Sequence, residues 1–199
     1  MDYLILDVDG VVLHGYHHDL RYRRMWNETL AQDLGLDPQA LAQEFFAKDW
    51  APIVCGETEL RPQLTSALKR IGTDVSADTL IDYWFRHDSN LNHPLLERVA
   101  SLRESGTICH LATNQESLRA AFLWNDLGLK NHFSDMFYSA DLKVTKPHLA
   151  FFEAVNAYID FNPHTDTVHY FDDTPDCVAR ATQAGWKAHL YNTLQDFTV

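Results

Sequence analysis

The chain has 199 residues, 46% of them hydrophobic and 12% aromatic, a composition that buries a sizeable core and excludes a disordered or fibrous class. Against 16 Lys and Arg stand 28 Asp and Glu, and the formal net charge of -12 excludes the basic footprint that nucleic-acid binding needs. No apolar run approaches a membrane span, no amino-terminal leader is visible, and Cys55, Cys109 and Cys177 make no C-x-x-C spacing, so neither a disulfide framework nor a zinc knuckle is expected and a cytoplasmic location is.

Leu4-Ile5-Leu6 is a continuous apolar run, which fits a strand covered on both faces, and Asp7, Asp9 and Gly10 follow where that strand ends. Ligands of open α/β sheets bind at the carboxyl ends of strands, so acids placed there are positioned for chemistry. An Asp-rich surface turn has the same local sequence. After Val11-Val12-Leu13 the signals turn helical. A helix is predicted from Asp19 to Gly35 on Leu20, Trp26, Leu30 and Leu34, with Gly35 as its C-cap. Asp37-Pro38 reads as N-cap and first position of a second helix through Phe45 and Phe46. Gly56 breaks the chain, Thr58 is the expected cap of a third helix ending at Gly72, and Ser76 that of a fourth carrying Leu80, Tyr83 and Trp84.

From Pro94 helix and strand alternate. An amphipathic helix to Glu104 precedes a strand at 107–112 that ends on Thr113-Asn114; a helix from Ser117 to Leu127 precedes a short strand at 136–139. Lys146-Pro147 then leads into a helix of Leu149, Phe152, Val155 and Tyr158. A strand at 167–171 ends on Asp172-Asp173, Pro175 opens a last helix, and Lys187 to Tyr191 forms a final strand. This order predicts a doubly wound parallel sheet with a small helical cap inserted after the first strand.

Strand ends therefore carry Asp7 and Asp9, Thr113 and Asn114, and Asp172 and Asp173, with Lys146 just beyond the third strand. In this order the phrases "DVDG", "LATN", "VTKP" and "FDDTPDCVARATQAGW" resemble the motifs of the haloacid dehalogenase (HAD) superfamily, and the insertion resembles the C1 helical cap of its first subclass. The resemblance implies a HAD-like, Rossmann-type core domain at 1–13 and 94–199 and a cap domain at 14–93. More loosely, "GET" and "SADLKVTKP" are similar to segments of small sugar-phosphate phosphatases, including those acting on glucose 1-phosphate, and the cap is similar to that of epoxide-hydrolase amino-terminal domains.

Phosphate monoesters hydrolyse extremely slowly in water, so a catalyst must supply a nucleophile and neutralise the charge that repels it. A carboxylate can be that nucleophile, and Asp7 is the expected one, forming an aspartyl phosphate. Mg²⁺ is the expected cofactor, held by Asp7, Asp173 and the backbone carbonyl of Asp9, with Asp172 acting through a metal-bound water or else orienting Lys146. Asp9 is the expected general acid and then base, which requires a raised pKa. Thr113, the Asn114 N–H, Gly10 and Lys146 are the expected phosphate contacts.

The expected reaction is Mg²⁺-dependent hydrolysis of a small phosphomonoester, a sugar phosphate or similar metabolite, with no nucleic-acid or membrane partner and room for a homodimer. A phosphomutase would keep every core residue, a haloacid dehalogenase would leave the acid at position 9 unexplained, and a non-catalytic binding module would leave the whole set idle. Cys177, where relatives often carry Asn, reads as a small buried hydrophobe. His14, His17 and His18 read as a solvated hinge. Trp50, Glu57 and Arg61 are cap residues that could line the pocket, with packing and solvated faces as the plainer alternative.

Overall fold

Leu4, Ile5 and Leu6 have no solvent exposure because strand β1 (Asp2–Leu6) is the central strand of a sheet covered on both faces. The computed structural model describes residues 1–199. The remaining strands are β2 (Ile108–Thr113), β3 (Asp135–Tyr138), β4 (Thr167–Asp172) and β5 (Lys187–Leu190). They lie in the order β3-β2-β1-β4-β5, and every pairing is parallel. The period of two separates the faces: Leu4, Leu6, Cys109, Leu111 and Phe171 join one core cluster, while Tyr3, Ile5, Ala112, Val168 and Tyr170 join the other.

Chain order runs outward from β1 through β2 to β3, then returns to place β4 against the other edge of β1. The carboxyl ends of β1 and β4 are thus neighbours at the point where the winding reverses, the usual crevice for a ligand. The register pairs Leu6 with Phe171, so Asp7 and Asp172 emerge side by side, and the Asp7 N–H donates to the Phe171 carbonyl at 3.0 Å.

Between β1 and β2 lie α1 (Leu30–Leu34), α2 (Pro38–Leu41) running into a π-turn at Ala42–Phe46, α3 (Trp50–Val54), α4 (Leu60–Ile71) and α5 (Ala77–His87). They enclose a hydrophobic cluster of their own around Leu41, Phe45, Leu64, Leu80 and Trp84. The predicted caps at Asp37 and Ser76 form, their side chains accepting from the Gln39 and Thr79 N–H groups. Gly35 and Gly72 close α1 and α4 with φ of 67° and 79°.

Two expectations fail here, and one helix is new. The helix predicted from Asp19 is helical only at Leu30–Leu34, because the Asp19 carboxylate takes the Arg21 N–H at 2.9 Å and the Arg24 N–H returns to the Gly15 carbonyl at 2.8 Å, folding 14–29 into turns. Thr58 is not a cap; Glu59 precedes α4 and the Thr58 hydroxyl is buried without a partner. Trp50–Val54 is an additional helix that the pattern did not signal.

The second half supplies α6 (His93–Glu104), α7 (Ser117–Ala121) continued by a π-turn at Phe122–Asp126, α8 (Ser139–Leu142), α9 (Leu149–Tyr158) and α10 (Pro175–Gln183). Residues of α6 pack on one face of the sheet, and those of α9 and α10 on the other. Asn92 joins the segments: its side chain donates to the Val11 carbonyl at 3.0 Å and to the Tyr191 hydroxyl at 2.9 Å while capping α6. No helix is long and apolar enough to cross a membrane.

The phrases "GET" and "SADLK" meet across the two halves. A Cβ on Gly56 would collide with the Ala140 carbonyl, the Lys143 ammonium donates to the Gly56 carbonyl at 2.7 Å, and the Ser139 hydroxyl donates to the Val54 carbonyl at 2.6 Å. Here Gly56, Ser139 and Lys143 join the inserted helices to the segment after β3, a structural use for these three residues.

Candidate active site

The loop after β1 holds Asp7, 8% exposed, against the buried Lys146, 5% exposed. Lys146 Nζ lies 2.9 Å from Asp7 Oδ1 and 2.7 Å from Asp172 Oδ2, and donates to the Ala112 carbonyl at 2.9 Å and the Tyr170 hydroxyl at 3.0 Å. Burial works to lower the Lys146 pKa, but the charges of Asp172 and Asp7 outweigh it and hold the ammonium protonated well above its ordinary value. The loop carrying Lys146 is itself clamped by the Asn114 side chain, which donates to the Lys146 carbonyl at 3.0 Å and accepts from the Lys146 N–H at 2.8 Å.

Asp172 has no exposure and both of its oxygens are engaged, Oδ1 by the Thr174 N–H at 2.8 Å and Oδ2 by Lys146 and the Tyr170 hydroxyl. Of the roles weighed for it, orienting Lys146 is the one these hydrogen bonds express. Asp173 accepts from the Thr174 hydroxyl at 3.0 Å and from the His18 N–H. Asp7, Asp172 and Asp173 offer carboxylate oxygens all within 4.8 Å of one another. Burial raises the pKa of Asp7, with Lys146 opposing, and burial likewise raises that of Asp173, with the His18 N–H opposing. Three carboxylates against one ammonium make a buried set of hard oxygen donors with an excess of negative charge, the donor chemistry suited to a small divalent cation.

Gly10 lies against this cluster with φ of +80°, and a Cβ there would stand 2.7 Å from Asp173 Oδ2. Gly10→Ala is therefore expected to lower the melting temperature by about 2–8 °C, from roughly 1–2 kcal/mol of left-handed backbone strain. An unchanged thermal transition would contradict this close approach.

Asp9 turns away from Lys146. Its Oδ2 accepts from the Gln115 amide at 2.5 Å, and its Oδ1 lies 3.7 Å from Arg119 Nη2. Arg119, 1% exposed, also sits 3.2 Å from Asp88 Oδ2 and donates to the Asp88 carbonyl at 2.6 Å, with its guanidinium over the rings of Trp84 and Phe85. Burial raises the Asp9 pKa, with Arg119 opposing and Asp88 adding to the rise. Glu116 is the cap of α7: its carboxylate accepts from the Leu118 and Arg119 N–H groups.

Asp7, Asp9, Thr113, Asn114, Lys146 and Asp173 all line one cavity of about 540 Å³, with Gln115, Cys177 and residues of the inserted helices. Trp50 lines it too, whereas Arg61 pairs with Asp78 on the outer surface and neither it nor Glu57 reaches the wall. Cys177 is buried, which pushes its thiol well above the ordinary range and keeps it neutral. The solvated hinge read for the histidines holds for His14 and His18 but not for His17, which is 3% exposed. The Asp19 N–H donates to His17 Nδ1 at 3.0 Å, and Asp173 Oδ2 lies 3.7 Å from the same nitrogen.

This architecture recurs among solved structures. A HAD family enzyme from Bacteroides thetaiotaomicron, crystallised with magnesium and inorganic phosphate, superposes with a TM-score of 0.79 at 16% identity over 100% of this chain and 98% of that one. The fold is HAD-like. A predicted HAD-like family hydrolase from Porphyromonas gingivalis follows at 0.72 and 18% identity, covering 96% of this chain and 90% of its own. A dehalogenase reaches 0.60 at 18% identity over 94% and 83%. No protein-family model and no curated protein matches the chain. HAD-like folds thus carry more than one chemistry among these neighbours, and function has to be argued from the site.

Gln115, Arg119, Asp88 and Tyr170 were not singled out by the sequence. Tyr170 and Arg119 sit inside apolar runs where a buried polar group is the only signal, and Asp88 follows a helix end where an acid is unremarkable.

Proposed function

We propose that the protein is a Mg²⁺-dependent phosphomonoesterase that works through an aspartyl phosphate at Asp7. The observation that carries this reading is the grip on Asp7: Oδ1 is held by Lys146 at 2.9 Å and by the Val8 N–H at 2.7 Å, which leaves Oδ2 as the attacking atom. Lys146 in turn is fixed by Asp172, Tyr170 and Ala112. Thr113 and the Asn114 backbone, at the end of the adjoining strand and on the cavity wall, are the donors for phosphoryl oxygens. Asp7 and Asp173 would hold Mg²⁺, whose charge would keep these buried carboxylates ionised and offset that of the phosphate.

Asp7 attacks phosphorus, the bond to the ester oxygen breaks, and that oxygen takes a proton from Asp9. Asp9, now a carboxylate, accepts a proton from the water that cleaves the acyl phosphate, and Asp7 is regenerated. Burial favours the protonated form of Asp9 that the first step requires, and Arg119 stabilises the anion formed by it. A proton donor at position 9 has no task in expelling halide, which leaves unprotonated, and this favours phosphate over a halogenated substrate. A phosphomutase would share the first step and would depend on a bisphosphate activator.

Asp9→Asn is expected to slow hydrolysis of an alkyl phosphate by ~10²–10⁴-fold, the usual range for a general acid or base. Its loss in the phosphorylation step should be far smaller with nitrophenyl phosphate, whose leaving oxygen needs no proton. Equal losses of that step on both esters would remove Asp9 from the acid role.

A further inference from the structure

The cavity above Asp7 is far larger than a phosphate group, and its upper wall is aromatic. Trp26 comes from the loop before α1, Phe46 from the π-turn after α2, Trp50 from the start of α3 and Trp84 from α5. These four separate segments bring their rings together. Trp84 stacks on Trp26 with centroids 5.5 Å apart and planes at 23°, meets Phe46 edge-on at 5.5 Å and 83°, and meets Trp50 at 5.7 Å and 59°. Phe46 and Trp50 touch at 5.6 Å. Trp84 is buried, but Trp26, Phe46 and Trp50 are only half-buried.

Large rings left half-exposed on the wall of a cavity gain most from a ligand that removes them from water. Among the polar groups beside these rings, the Trp84 indole N–H donates to Asp88 at 3.2 Å, Asp88 pairs with Arg119, and Gln115 is bound to Asp9. Arg119 Nη1 is buried without a hydrogen-bond partner in the same wall.

We infer that the ester cleaved at Asp7 has a leaving group bearing a flat aromatic or heteroaromatic ring, bound among Trp26, Phe46, Trp50 and Trp84. This rests on the phosphomonoesterase reading and names its substrate class, in place of the sugar phosphate expected from the sequence. The chain of contacts from Trp84 through Asp88 and Arg119 to Asp9 connects the ring site to the acid that protonates the leaving oxygen.

Two measurements test it. With the wild-type protein and Mg²⁺, kcat/KM for adenosine monophosphate and phenyl phosphate is expected to exceed that for glucose phosphate and glycerol phosphate at least tenfold, and Trp50→Leu is expected to cut that ratio. In Asp7→Asn protein, which binds without turnover, adenosine monophosphate is expected to quench tryptophan fluorescence saturably while glycerol phosphate leaves it unchanged. Sugar or glycerol phosphates cleaved as well as the ring-bearing esters, or an absence of quenching, would overturn the inference. Saturable quenching by adenosine monophosphate with no hydrolysis of any ester by wild type would instead retain the ring site and reject the phosphatase reading.

Discussion

Asp7→Asn is expected to lower turnover by at least ~10³-fold, since removing a nucleophile removes the step that every later one depends on. The amide is nearly isosteric with the carboxylate but cannot attack phosphorus. Folding is expected to survive, because burial already raises the Asp7 pKa: the site resists the charge more than it needs it. Lys146 keeps Asp172, Tyr170 and the Ala112 carbonyl as partners in the variant. Phosphate release measured beside a thermal melt separates the effects. A variant that retains a tenth of the wild-type rate excludes Asp7 as nucleophile.

Lys146→Met has the larger structural consequence. Lys146 is the cation shared by Asp7 and Asp172, so its loss leaves two buried carboxylates facing each other without compensation. Breaking a buried pair in this way costs roughly 3–5 kcal/mol, or about 6–20 °C in melting temperature for a chain of this size. The deficit should depend on pH with a definite sign. Without the ammonium nothing opposes the burial that already raises the Asp7 pKa, so its folded-state value moves further above the unfolded value near ~4, and the variant recovers stability as pH falls and loses it as pH rises. The comparison is made with a chelator present, by melts across the acidic to neutral range. A loss under 2 °C, or one that grows toward acid, would show that Lys146 does not hold the cluster together.

The parts of this fold that were legible in the sequence are those fixed by short-range pattern. Leu4-Ile5-Leu6 is apolar throughout because β1 is covered on both faces, and the acids after it interrupt that run at the sheet edge. Asp37, Ser76, Gly35 and Gly72 announce helix ends through side-chain or backbone chemistry confined to a few residues. Where the sequence failed, side-chain and turn hydrogen bonds decided. The helical spacing from Asp19 to Gly35 yields a helix only at Leu30–Leu34, because Asp19 and Gly15 take the Arg21 and Arg24 N–H groups, and the buried His17 is enclosed by a loop that no periodic pattern describes.

The site divides along the same line. Asp7, Thr113, Asn114, Lys146 and Asp173 were named from strand ends and share one cavity. The clamp of Asn114 on Lys146, the Tyr170 hydroxyl beneath it and the Arg119 bridge from Asp9 to Asp88 join residues 24 to 32 positions apart or more, so spacing could not reveal them. The aromatic wall is similar, because Trp26, Phe46, Trp50 and Trp84 read one at a time as packing residues and only the fold makes them a lining.

Phosphate release from a panel of phosphomonoesters, run with Mg²⁺ and again with chelator, tests the central claim most directly. The account predicts release that requires Mg²⁺ and returns when the ion is restored. Folded, Mg²⁺-bound protein that releases no phosphate from any ester, or release that is indifferent to the chelator, would contradict it.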